Sequence, residues 1–88
     1  MLDVEVNHRV FENHPEMIQE DIEYAMEAGA LQSQVRLGSD PECYVGAGTT
    51  SNGKLVQWIG IRTSPQGWYV YHAMELTEKV RRELGMRR

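Results

Sequence analysis

Cysteine occurs once in the 88 residues, as Cys43. No internal disulfide is available, and a small fold without such staples suits a reducing compartment. No apolar run approaches the roughly 20 residues a membrane-spanning helix needs. The start, Met1-Leu2-Asp3-Val4-Glu5, carries acids where a secretory leader needs bases and an apolar core. These absences set the expectation of a cytoplasmic protein with no membrane partner. There are no internal repeats and no low-complexity segment. The three histidines, His8, His14 and His72, are far apart and share no helical spacing. With no second cysteine, a zinc site is not expected. Gly46-Ala47-Gly48 lacks the lysine and the helix start of a phosphate loop. Neither a metal nor a cofactor is expected.

The composition is that of one ordinary globular domain, 41% hydrophobic and 25% charged, which makes disorder an unsuitable reading. A chain this short has a thin core. The net charge is −4, unevenly spread. Glu12 to Glu42 holds eight acids and one base, Arg36, whereas Lys79 to Arg88 holds five bases and one acid, Glu83. The acidic total argues against nonspecific wrapping of nucleic acid, because neutralising phosphates drives that binding. A local basic patch stays open, as does the plainer reading of two solvated helix faces.

Hydrophobic periodicity sets the expected elements. Asn7 to Asn13 reads as an extended lead-in or a short helix, and His14-Pro15 as a boundary. Pro15 to Ala28 reads as a helix, with Ile18, Ile22, Ala25 and Met26 on one stripe and Gly29 as its stop. Leu31 to Leu37, Glu42 to Thr50, Lys54 to Thr63 and Trp68 to Ala73 read as four strands. Gly38 to Pro41, Ser51-Asn52-Gly53 and Ser64 to Gly67 are the turns between them. Gly46 and Gly48 mark a bulge or a close approach of another element. Leu76 to Leu84 reads as a basic final helix, with Leu76, Val80 and Leu84 inward. Gly85 ends it, and Met86-Arg87-Arg88 reads as a frayed end. The expected class is α+β: one or two N-terminal helices, a four-stranded antiparallel meander and a C-terminal helix. Both helix stripes are expected on one sheet face.

Two registers are open for the last hairpin. One pairs Thr63 with Trp68 and Ile59 with His72. It leaves Val56, Trp58, Arg62, Tyr69 and Tyr71 on a face that could stack bases and grip phosphate. The other, slipped by one residue, sets Trp58 beside His72 and Arg62 beside Trp68. The aromatics are equally readable as a small second core or a homodimer surface. His72, late in an apolar strand, is readable as a satisfied structural residue or as a general acid or base.

The order of elements resembles the RelE/BrnT-like toxins of bacterial toxin–antitoxin pairs. Asn7-His8-Arg9-Val10-Phe11-Glu12-Asn13-His14, with Ile18-Gln19-Glu20-Asp21-Ile22, is similar to their opening helices. Val70-Tyr71-His72-Ala73-Met74, with Lys79 after it, is similar to the strand-to-helix passage of small relatives. The resemblance implies a metal-independent endoribonuclease in which a ribose 2′-hydroxyl attacks the adjacent phosphate, restrained by an antitoxin protein. It assigns phosphate binding to Arg62, acid or base chemistry to His72, and completion of the site to His8. RNA contacts would come from Lys79, Arg81, Arg82, Trp58, Tyr69 and Tyr71. The chain departs from that pattern in being acidic and in carrying less arginine around its last strand. A noncatalytic interaction module, or a homodimer, is the alternative.

Overall fold

The computed structural model describes residues 1–36, 38 and 42–87. Leu37, Ser39 to Pro41 and Arg88 lie outside the described residues, and with them most of the expected first turn and the last residue of the expected frayed end. The chain runs β1 (Asp3–Val6), α1 (His8–Asn13), α2 (Gln19–Met26), β2 (Ala30–Arg36), β3 (Cys43–Thr49), β4 (Leu55–Arg62), β5 (Gly67–Glu75) and α3 (Glu78–Glu83).

The sheet corrects the expected four-stranded antiparallel meander. It has five strands in the order β1-β5-β4-β3-β2, and β1 lies parallel to β5, from Asp3 against Gly67 to Val6 against Val70. The meander of β2 to β5 is antiparallel as expected. The added strand is only four residues long, DVEV, too short to announce itself. Its alternation buries Val4 and leaves Asp3 and Glu5 in solvent. It becomes a strand because β5 offers a free edge more than sixty residues away in sequence.

The two flanking helical layers also lie on opposite faces rather than sharing one. Ile22, Ala25 and Met26 of α2 and Val10 of α1 join Val4, Val56, Trp58, Trp68, Val70 and Ala73 in the larger cluster. Val80 and Leu84 at the end of the chain join Val45 and Ala47, with Leu76 and Ile59 alongside. Neighbouring β4 residues such as Trp58 and Ile59 point to opposite faces, so each face has an apolar strip to cover.

The helix bounds shift with the caps. Asn7 caps α1, its Oδ1 accepting from the Arg9 N–H at 2.9 Å. α2 starts at Gln19 rather than Pro15, because the chain first turns inward to bury Met17. Ile18 is consequently exposed and drops out of the expected stripe. Thr77 caps α3, accepting from the Val80 N–H at 3.3 Å, which delays that helix to Glu78.

Gly46 and Gly48 answer to close approach. A Cβ on Gly46 would overlap the Trp58 indole, and one on Gly48 would overlap the Ala25 carbonyl of α2. The expected asparagine–glycine turn is present, with Gly53 at φ +86°.

The β4–β5 hairpin combines both expected registers. Arg62 pairs with Trp68, Ile61 with Tyr69 and Gly60 with Val70, the slipped pairing. Ile59 then pairs with His72, the unslipped one. Tyr71 is the extra residue, a β-bulge that absorbs the slip.

Candidate functional site

The bulge at Tyr71 aims two consecutive polar aromatic residues at what surrounds β5. His72 is half-buried, and its Nε2 lies 3.0 Å from the Nε2 of Gln57 on β4. Gln57 is itself 4% exposed and has no freedom to turn its amide over. Its Oε1 accepts from the Thr77 N–H at 2.7 Å and from the Thr77 hydroxyl at 2.8 Å. The amide NH₂ therefore faces His72 and donates to Nε2. That fixes the neutral tautomer of His72 with its proton on Nδ1. Burial first, then the positive charges of His14 and Arg36, hold the His72 imidazole below the ordinary histidine value.

The second imidazole is that of His14, which ends α1. Its ring stands edge-on to His72, the centroids 6.2 Å apart. The Nδ1 of His14 lies 3.6 Å from Glu16 Oε2. Tyr71 is exposed, yet desolvation of its hydroxyl and a hydrogen bond with Cys43 push its phenol up to about 12. Arg36 of β2, also felt by His72 and Tyr71, is held by Glu83 of α3 through two hydrogen bonds of 2.9 and 2.7 Å. That pairing raises Arg36 and lowers Glu83 from their ordinary values. Lys79 adds positive charge one turn earlier on α3 and contributes to the Glu83 shift.

The remaining sequence candidates have other partners. Arg62 lies three residues beyond Ile59 on β4, so its side chain leaves from the opposite face to that of Ile59 and His72. Its guanidinium sits 5.0 Å from the Trp68 ring centroid and 6.0 Å from that of Tyr44. Trp58, expected on a base-stacking surface, is 4% exposed and packs edge-on to Trp68 at 5.2 Å. It is a core residue because β3 offers Gly46 opposite it, leaving room for the indole. Tyr69 is part-buried and its hydroxyl accepts from Asn7 Nδ2 at 2.6 Å. His8 is exposed, with Glu12 at 3.7 Å. Arg81 and Arg82 both lie beside Glu78, at 3.6 and 3.5 Å.

The structure thus brings His14 to His72, keeps the expected Tyr71 next to it on β5, and adds Gln57 and Arg36. The His14-Pro15 boundary was visible in sequence as a break between helices, with nothing to connect it to β5. Gln57 gave no signal beyond being a polar residue at an inward strand position. Among the described residues no group of three or more His, Cys, Asp or Glu could hold a metal ion. No described helix is long and apolar enough to cross a membrane.

No protein-family model, no curated protein and no solved structure matches the chain.

Proposed function

We propose that the chain is a metal-independent endoribonuclease of the toxin type, with its chemistry at the His14–His72 pair. The observation that carries the reading is the approach of two imidazoles to 6.2 Å, with the exposed Tyr71 next to His72 along β5. Cleavage through the ribose 2′-hydroxyl needs a base, a proton donor and a hydrogen-bond donor at phosphate, all of which side chains can supply.

His14 is the base. Its Nδ1 is turned to Glu16, leaving Nε2 to take the 2′ proton. The 2′ oxygen then forms a bond to phosphorus, and the bond from phosphorus to the 5′ oxygen breaks. His72 stays neutral, because Gln57 occupies Nε2, and offers Nδ1–H to a phosphate oxygen. Tyr71 keeps its proton at neutral pH and gives it to the departing 5′ oxygen. The products are a 2′,3′-cyclic phosphate and a free 5′-hydroxyl. Lys79 steers the backbone of the RNA, and Arg62, on the other face, makes an outlying contact. An antitoxin protein would restrain the activity.

A second reading, a noncatalytic interaction module, is favoured by one observation. Gln57 and Thr77 account for His72 Nε2 as a structural hydrogen bond that ties β4, β5 and α3 together.

Inducible expression in a bacterium, followed by growth and bulk translation, separates the two. Arrest by the parent chain and its loss in His14→Ala and in Tyr71→Phe, both soluble and folded, is the expected result. No arrest by soluble parent protein moves the assignment to the interaction module. Arrest that survives both substitutions removes the chemistry from this pair.

A further inference from the structure

β2 ends the sheet on the side away from β1, and no described strand pairs with its outer edge. Free edges invite another strand, and proteins usually guard them with charge, proline or a covering element. β1, the other edge, is guarded by exposed Asp3 and Glu5. From Ala30 to Val35, β2 has neither a charge nor a proline, and Ala30 to Gln34 are all exposed. Leu31 is 54% exposed. The single irregularity is a register shift at Leu31, after which Gln32 to Arg36 form a regular ladder on β3.

The strand is also symmetric in chemistry about Ser33. Glutamine flanks it on each side, and an apolar residue follows on each side, Leu31 and Val35. An antiparallel pairing of two copies about a two-fold axis at Ser33 sets Ser33 on Ser33, Gln32 opposite Gln34 and Leu31 opposite Val35. Every contact is then matched, as an isologous interface requires. The two glutamines are already held in place. Gln32 Nε2 donates to the Leu84 carbonyl, and Gln34 Nε2 donates to the Glu83 carbonyl at 3.3 Å. A hollow of about 230 Å³, lined by Met26, Leu31, Ser33 and Trp58, lies beside this axis and takes an apolar side chain from the other copy. The one charged residue of the strand, Arg36, is neutralised by Glu83 and adds no repulsion.

We propose that two copies of this chain pair antiparallel through β2, joining their sheets into one continuous sheet. The pairing does not rest on the chemistry proposed for the His14–His72 pair.

Sedimentation of the full chain over a range of concentrations is expected to show a dimer. Ser33→Lys places two like charges opposite each other at the axis and is expected to weaken the dimer about tenfold or more, with an unchanged circular dichroism spectrum. Ser33→Cys sets two thiols across the axis. Directly opposed strand residues lie about 4.5–5.5 Å apart at Cα, within disulfide reach. Mild oxidation is expected to lock this variant as a covalent dimer and to leave Glu12→Cys, on α1, unlocked. A parent that stays monomeric at the highest concentration overturns the proposal. So does a dimer that Ser33→Lys leaves intact and Ser33→Cys fails to lock, because its contact then runs through another surface.

Discussion

Gln57 shows how much a single side chain decides here. Its carbonyl oxygen satisfies the α3 cap residue Thr77, and its NH₂ sets the tautomer of His72. Gln57→Leu keeps the bulk but leaves the Thr77 N–H without that acceptor. A buried donor left unsatisfied costs about 1–3 kcal/mol, and urea unfolding of the variant should show a loss of that size. His72 carries a pH signature. Its folded pKa lies below the ordinary 6.5, so between the two values the unfolded chain binds a proton that the folded chain does not. The stabilising contribution is fully present above about 6.5 and is lost as pH falls through the folded pKa. Stability measured by denaturant at a series of pH values should therefore drop below about 6.5. His72→Gln should flatten that part of the curve.

At the scale of elements, two glycines of β3 admit close neighbours, Gly48 the α2 backbone and Gly46 the Trp58 indole of β4. Gly48→Ala drives a methyl into the Ala25 carbonyl, a backbone atom that can yield only if the helix moves. Forced overpacking of this kind costs about 1–3 kcal/mol, and thermal unfolding should report it. Trp58→Ala tests the partner of Gly46. A core tryptophan lost to alanine costs about 3–5 kcal/mol, so the variant should be strongly destabilised, whereas a surface base-stacking residue would have left stability almost unchanged. The bulge at Tyr71 is an element-scale device too. It lets the tight Ser64–Gly67 turn set one register at its own end of the hairpin while His72 keeps its place opposite Ile59. Strand periodicity alone offers one register or the other, because a continuous alternation contains no mark for an inserted residue.

The whole molecule is a sheet covered on both faces, so its two clusters are joined only through the strands between them. Leu84, at 2% exposure, is the last fully buried side chain of the smaller cluster, and Met86 packs against it. Ending the chain after Glu75 would uncover Val45, Ala47 and Ile59 together and would also remove the Glu83 partner of Arg36. Such a truncated chain should bind a hydrophobic dye and lose its sharp thermal transition, because a domain this small has little spare burial. An acid limb follows from the same closure. Glu83 is lowered by Arg36, so the stability of that pair is complete above the ordinary carboxylate value of 4.5 and is lost as pH falls through the lowered one.

Local chemistry determined what local chemistry can. The asparagine–glycine turn, the alternating strands, the amphipathic run around Ile22 and the basic final helix with Val80 and Leu84 inward are all written within a few residues, and each formed, though both helices begin later than their patterns placed them. Tertiary structure decided whatever depends on a partner distant in the chain. The segment Asp3–Val6 is a strand only because β5 has a free edge for it. Trp58 is core only because Gly46 stands opposite it. His14 meets His72 only because α1 packs at the end of β1 while β5 carries a bulge. Periodicity states which side of an element is apolar. It does not state which two distant sides will face each other, because that is settled by the burial of all of them at once.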